Sequence, residues 1–600
     1  MDFDPFTTAP DAASSRISRR GGRVHLAGTG IQVGPLTDRP EADLLTHCLE
    51  AAAAAVRGTA ARSIDALYFG TMALQRGREG VDPGHIPGIV RRRLGLSPAC
   101  ALLTMTSTSE TGAAVFARAA ADIASGQCRN ALVLAGEQMF AVGSLDRGDP
   151  EGRAHRRLEA EANARVICGV VDPHERTAYG LSMLPVGDLF MDHLAHRSGL
   201  AEGTWRAVLE AVTLDKYARS HGHPASFTAA RERTRGVLTR AAYRNPERNP
   251  FLSHWYTRED VCANACGASA VLLTAAAGPV TVLGVGHGDA PVALGRRMPP
   301  LGGPAAIRRA LRALGRAAGA SPGTLGQSDA ALLHDAFPAI ELAFLRMLAG
   351  PGGWPWVLDR FVGGWGHPFG GLCASGHALG NSGLLQVVQA YDLLTGRLPP
   401  QDARRRPQTV LITSVGSALT HVIATLLADA DAAAAWLPEP FDPAVWSAPP
   451  LPSDDTATMA ALQPDEALVV AVTAQEARTS AEGKPGHDVG PESGPEALHV
   501  IYRNQDGKPR MGLALAAVRR PAGRVVRIAW VVPATPGEAV ATDIAAGRDS
   551  MGVLPLVVPR PLWRIVDDVR ATPSLRPAID PAVVQSLVDG LWQGRLRERI

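Results

Sequence analysis

Residues 368–383, PFGGLCASGHALGNSG, are the stretch from which the rest of the chain is read. A glycine-dense turn that holds one imidazole, His377, lets main chain approach a ligand closely while presenting a single general base or hydrogen-bond donor. The stretch lies between a Trp/Gly-rich loop, GGWGHP, and an apolar helix-like run, LLQVVQAYDLLTG. Gly-His-x-x-Gly by itself is equally compatible with a structural turn. A second histidine gives it weight: His334 follows a short apolar run in LLHDAFPAIELAFL.

The pair HDAF and GGLCASGHALG resembles the thiolase superfamily, specifically its sterol-carrier-protein-type branch, which carries an HDCF-like loop and then a Gly-His loop. The likeness extends upstream. TSTSETGAAVFARAAADIASGQCRNALVLAGEQM resembles the family's nucleophile helix and the strand after it, with Gly136, Glu137 and Met139 closing that strand as G-x-E-x-M. EDVCANACGASAVLLTAAAG resembles the strand that closes the first half, and TVLITSVGSALTHVIATLL the last core strands. Four blocks in family order thus cover residues 23–430. The resemblance implies a duplicated α/β fold: an N-terminal half over 23–275, with a loop region at 140–250, and a C-terminal half over 276–430. Strand–helix alternation in both halves predicts a mostly parallel, covered sheet.

The departures from the family pattern bear on chemistry. Counting back from Ser125-Gly126 without gaps, Ser109 falls where thiolases have their nucleophilic cysteine; a one-residue gap would place Thr108 there. The second family cysteine, inside HDCF, is Ala336 here. A thiolate is an intrinsically good nucleophile, whereas a serine hydroxyl needs an adjacent base, for which His377 is the candidate. Nothing at Ala336 can accept a proton, so a Claisen condensation without decarboxylation is the least expected activity. Ser109, His334 and His377 resemble the Cys-His-His set of ketosynthases with its first member replaced. Main-chain amides near Gly376 and Gly380 complete an oxyanion hole if the family arrangement holds.

No other cysteine substitutes by sequence. The seven cysteines form no CxxC pair, and no histidine spacing points to zinc. Cys373 reads as a small apolar filler inside the histidine loop. Cys262 and Cys266 occupy a strand entry, where the family places a small polar residue against the pantetheine arm. Scattered unpaired cysteines fit a reducing, cytoplasmic compartment.

A formal net charge of +2 gives no case for nucleic acid or a membrane surface. The longest apolar runs stop well short of the ~20 residues that span a bilayer. In RVHLAGTGIQVG the glycines suggest a dinucleotide site, but no third helix-opening glycine follows. Arg153, Arg156, Arg157, Arg219 and His223 lie where thiolases keep the loop domain that covers coenzyme A, and are candidates to meet its phosphates; for each, a solvated surface position is the plainer reading. Residues 1–22 read as a flexible leader and 431–458 as a Pro-rich linker. Residues 459–600 read as a β-rich, barrel-like module with a DG turn and a terminal helix, resembling the additional C-terminal domain of type-1 thiolase-like proteins.

The expectation is a thiolase-fold acyltransferase of lipid metabolism that takes a coenzyme A thioester as substrate and holds no bound cofactor. Its acyl group would pass through Ser109 to an alcohol, amine or carbon acceptor. The alternative is a non-catalytic subunit that binds acyl-CoA or a partner thiolase. Family members usually pair as homodimers, which the added module would affect.

Overall fold

Along the strands of the first half, successive side chains enter different cores, as a period of two requires. In the computed structural model Leu67, Phe69, Leu132 and Leu134 face one helical layer, while Ala66, Tyr68, Ala131 and Val133 face another. The structure describes residues 22–34, 44–72, 83–138, 171, 183–292 with short gaps between 222 and 235, 305–350, 353–398, 406–446, 498–503, 509–514, 531–533 and 579–597. The leader, Arg153, Arg156, Arg157 and most of the C-terminal module lie outside the described residues.

Nine strands form one sheet: β1 His25–Gly34, β2 Ala66–Gly70, β3 Ala101–Met105, β4 Asn130–Glu137, β5 Cys266–Thr274, β6 Val280–Asp289, β7 Ala330–Leu332, β8 Thr409–Gly416 and β9 His421–Asp429. Their order is β3-β2-β4-β5-β1-β6-β9-β8-β7. Read outward from the centre, β1-β5-β4-β2 repeats as β6-β9-β8-β7, which is the duplication. Within the sheet the halves pair through β1 and β6, His25 with Thr281 and Leu26 with Val280.

The sheet is mixed rather than mostly parallel. β2 runs parallel to β3 and β4, and β7 to β8, but β5, β1, β6 and β9 are antiparallel to every neighbour. The reason is connectivity. Ser417–Thr420 is too short for a crossover, so β8 and β9 form a hairpin. Long strings of Val, Leu and Ala read alike in both directions, and periodicity alone carries no sign of strand sense.

Two central helices, Thr111–Ala124 and Ser382–Thr395, lie between the halves and share a core with both. Val115, Phe116, Leu384 and Val387 pack with Val133 and Val271 of the first half and with Val410 and Ile412 of the second. The helices touch closely at Gly112, where a Cβ would stand 2.8 Å from Leu384 N and 2.9 Å from Gly380 O. Outer helices Leu44–Ala55 and Ala305–Ala318 cover the other faces. Their seating explains the glycines of β1: a Cβ at Gly30 would meet Ala51 O at 2.0 Å, and the duplicate Gly288 on β6 would meet Ala306 O at 2.0 Å. These glycines serve helix–strand contact.

Residues 436–446 of the expected linker lie on the second outer helix, with Trp436 Nε1 donating to Ala318 O at 2.8 Å and Trp446 buried against it. Leu498–Arg503, Pro509–Ala514 and Val531–Pro533 form a separate three-stranded antiparallel sheet. The terminal helix Pro581–Gln593 packs on the body of the nine-stranded domain: Val584, Val588 and Leu591 join the core of the Glu202–Ser220 and Gly353–Gly363 helices. Among the described residues no helix is long and apolar enough to cross a membrane.

Candidate active site

The chain leaves β2, β4 and β8 into segments that meet across the two halves: Met72 N donates to Glu137, which also takes the Gly380 amide, and Gly416 lies against Glu110 and Thr108. Past β7 the chain runs through His334–Phe337 into the Pro338–Leu348 helix, which Pro338 starts without wasting an amide donor. His334 N–H donates to Thr413 Oγ1 on β8 at 3.0 Å. His377 lies between the short Gly371–Ser375 helix and the Ser382–Thr395 helix. It is held as a bridge partner of Asn264, its N–H donating to Ala263 O at 2.7 Å and its carbonyl accepting from Ala265 N at 3.2 Å.

This brings the two histidines together. Their ring centroids stand 5.2 Å apart, edge to face, and both rings are buried. Burial pulls the His377 imidazole down to about 4. Burial, and then the charge of His377, holds His334 well below the ordinary histidine value. Both rings are therefore neutral at pH 7, and each keeps one basic nitrogen. His377 Nδ1 lies 2.7 Å from Ser382 Oγ. When Nδ1–H donates there, Nε2 carries the lone pair.

Ser109 follows β3, in the half-buried turn before the Thr111–Ala124 helix. That helix starts beside the start of the His377-bearing segment, through Gly112 and Gly380. In the turn, Ser107 and Thr108 donate their hydroxyls to Glu110, and Thr111 donates to Thr108 O. Thr108 is thus committed, whereas among the described residues no hydrogen bond engages the Ser109 hydroxyl, and none joins Ser109 to either imidazole. Of the two register choices, Ser109 is the hydroxyl left for a substrate.

Glu137, read from sequence only as a strand ending, grips the histidine loop. Its carboxyl accepts from Met72 N at 2.8 Å and from the amides of Gly380 and Gln138. Burial, against these donors, pushes it up to about 8. The Gly380 amide expected to face an oxyanion is therefore spent on Glu137. Gly376, at φ 83°, supplies the left-handed turn that precedes His377.

The remaining candidates are engaged by the surrounding protein. Cys373 is buried, its Sγ donating to Asp335 O at 3.1 Å and Asp260 O at 3.3 Å, and burial drives its thiol well up. Cys262 donates its amide to Ala336 O at 3.2 Å, and burial raises its thiol too. Neither is a ready thiolate. Arg219 is buried, with Nε on Asp215 Oδ2 at 2.6 Å and Nη2 on Gly363 O at 2.9 Å. His223 packs its ring 5.0 Å from Phe369, and burial lowers it to about 4.

Among the described residues several buried polar atoms have no hydrogen-bond partner: His334 Nδ1, both amide atoms of Asn381, four residues after His377, and Ser414 Oγ on β8. Asn381 and Ser414 are fully buried. The sequence hinted at neither, since each reads as an ordinary helix-cap or strand residue. Among the described residues no cluster of His, Cys, Asp and Glu is placed to hold a metal ion.

No protein-family model matches the sequence, and no curated protein matches it either. Among solved structures the chain is similar to an Ltp2-ChsH2(DUF35) aldolase at 16% identity, over 68% of this chain and 99% of that one, with a TM-score of 0.51. It is also similar to a monomeric SCP2-thiolase-like protein type 1 from Mycobacterium smegmatis, at 16% identity over 82% and 92% of the two chains and a TM-score of 0.49. A human mitochondrial 3-ketoacyl-CoA thiolase is similar at 17% identity, over 68% and 99%, with a TM-score of 0.48. At such identities likeness speaks for architecture alone. With its duplicated sheet and its paired central helices, the protein has a thiolase-like fold.

Proposed function

We propose that the protein acts on acyl-coenzyme A thioesters, with Ser109 as acyl acceptor and His377 as its base. The observation that carries this reading is the convergence of a neutral imidazole pair with an uncommitted hydroxyl. In the proposed step Ser109 Oγ attacks the thioester carbonyl while its proton passes to His377 Nε2. The C–S bond then breaks, and coenzyme A leaves as the thiol, taking that proton. The ester on Ser109 passes to an alcohol, amine or carbon acid, whose proton an imidazole accepts and returns to Ser109 Oγ as the ester C–O bond breaks. A serine–histidine contact that is long without substrate commonly tightens in the complex. His334 Nδ1, Asn381 and Ser414 offer hydrogen bonds to the acyl or acceptor oxygens, which relieves a cost of about 1–3 kcal/mol for each buried unpaired group.

A second reading is favoured by the missing Ser109–imidazole hydrogen bond. Two neutral imidazoles suffice for aldol-type chemistry on a β-hydroxyacyl thioester with no acyl-enzyme. One takes the β-hydroxyl proton, the Cα–Cβ bond breaks to a carbonyl and an enolate, and the enolate regains a proton at Cα. The similar structure with a TM-score of 0.51 is described as an aldolase.

Intact-protein mass after incubation with acetyl-, malonyl- and longer acyl-CoAs tests the first reading. An adduct that disappears in Ser109→Ala, survives in Cys373→Ala and resists neutral hydroxylamine supports an O-acyl-serine. Loss in Cys373→Ala instead overturns it. Cleavage of β-hydroxyacyl-CoA without any adduct, abolished in His377→Ala, selects the second reading. Coenzyme A binding with neither adduct nor turnover leaves a binding subunit.

A further inference from the structure

In the Glu202–Ser220 helix Glu210, Asp215, Lys216 and Arg219 are all buried. Lys216 is 1% exposed. Its ammonium donates to Asp335 Oδ2 at 2.7 Å and to Glu341 Oε2 at 2.9 Å, and both carboxylates are fully buried. A buried ammonium needs such partners, because an isolated one is expelled or neutralised.

Each partner carbonyl or carboxylate leads to a segment of the site. Asp335 follows His334 directly, and its other oxygen accepts Leu372 N–H at 2.7 Å, at the start of the short helix that delivers His377. Gly371 leaves room for that carboxylate: a Cβ there would stand 2.0 Å from Asp335 Oδ2. At Gly370 a Cβ would stand 2.1 Å from Lys216 O, so the same residue also seats the turn through its main chain. Glu341 holds His367 Nδ1 at 2.7 Å, in the Gly-rich loop just upstream.

We infer that Lys216 is a positioning residue that fixes His334 and His377 relative to each other, through Asp335 and the Gly370–Leu372 turn. The ammonium holds the two carboxylates of the segment after β7, Asp335 and Glu341, and these tie that segment to the next through Leu372 N–H and His367. The inference rests on the proposed function only in taking these histidines as the working groups, and its test needs no turnover.

The test is carbethoxylation of the full-length protein by diethylpyrocarbonate, followed residue by residue through peptide mass mapping. Buried imidazoles react only through local opening. In Lys216→Met, His334 and His377 are expected to react about tenfold faster or more, while His47, buried in the first outer helix, keeps its wild-type rate. Pairing Lys216→Met with Asp335→Asn removes the stranded charge and keeps an acceptor for Leu372 N–H, and should restore most of the protection. Parallel acceleration at His47 would reduce Lys216 to a general stability residue, and unchanged rates at His334 and His377 would overturn the inference outright. If Lys216→Met does not accumulate as folded protein, two single variants decide. Asp335→Asn should expose the pair at least about fivefold while Glu341→Gln leaves it within about twofold; equal responses sink the idea. If Ser109 chemistry fails but this pattern holds, only the proposed reaction is lost.

Discussion

The two sides of the site are built to different standards. The second half supplies His334 and His377 on loops cross-tied by buried charge, with Lys216, Asp335, Glu341 and His367 all at or near zero exposure. The first half supplies Ser109 on a half-buried turn, held by hydroxyl contacts to Glu110 and facing the Ser417–Thr420 hairpin. A base pair needs fixed geometry and a low dielectric to stay neutral. A residue that accepts and releases an acyl group needs room. The contrast teaches that rigidity is spent where protons are handled.

The largest expected effect breaks the rigid side. Asp335→Ala leaves the Lys216 ammonium short of one buried partner and Leu372 N–H without an acceptor, so we expect about 3–5 kcal/mol of destabilisation. Glu110→Ala, which strips the loose side of its anchor, should cost only about 1–3 kcal/mol. Denaturant melts of both variants check the ranking, and equal losses would erase the distinction between the two sides.

Next comes the protonation state of the pair. With His377 lowered to about 4 by burial, the base form persists far below the usual imidazole range. The acid limb of any thioester turnover should then fall near pH 4 rather than near 6.5. His377→Ala should reduce that turnover by about 10²–10⁴. A limb near pH 6.5 would mean that the ring titrates in contact with solvent, contrary to the tight packing described.

Glu137 crosses the divide, since it belongs to the first half and grips Gly380 of the second. Its folded value, pushed up to about 8 from 4.5 by burial, means that the folded state keeps a proton the unfolded chain has lost over that window. Stability should accordingly fall as pH rises from 4.5 to 8 and level off above it. In Glu137→Gln that decline should flatten, by something on the order of 2 kcal/mol or more at pH 8. Thermal melts at pH 5 and pH 8 measure it, and parallel curves for both proteins would show that the carboxyl is ionised and content in the fold.

What the sequence made legible follows from distance along the chain. The glycine-dense loop, the HDAF string and the Ala-rich helix after Ser109 are local patterns, and each sits where its pattern places it. The Lys216–Asp335 tie spans 119 residues. No local signal marks such a lysine as buried. Strand sense was hidden for a related reason: a hairpin and a crossover differ in what lies between strands, and the strands themselves look the same. The spent amide of Gly380 was hidden too, because a glycine in a loop says nothing about which carboxyl will claim its N–H.

The smallest effect tests the hairpin that faces the loose side. Ser417 and Leu419 are non-glycine residues held at φ 53° and 59°, in the left-handed region. Such backbone costs roughly 1–2 kcal/mol for an L-residue, and glycine gives back about 0.5–1 of that in chain entropy. Ser417 touches Thr108 only at 3.5 Å between hydroxyls, too long to offset the strain. Ser417→Gly should therefore stabilise the protein by about 0.5 kcal/mol, seen as a small rise in Tm. It should leave any Ser109 adduct unchanged, because the turn that carries Ser109 takes its shape from Glu110. A fall in both stability and adduct would mean that the strained hairpin holds the acceptor turn in place, and that the first half is less loose than its hydrogen bonds suggest.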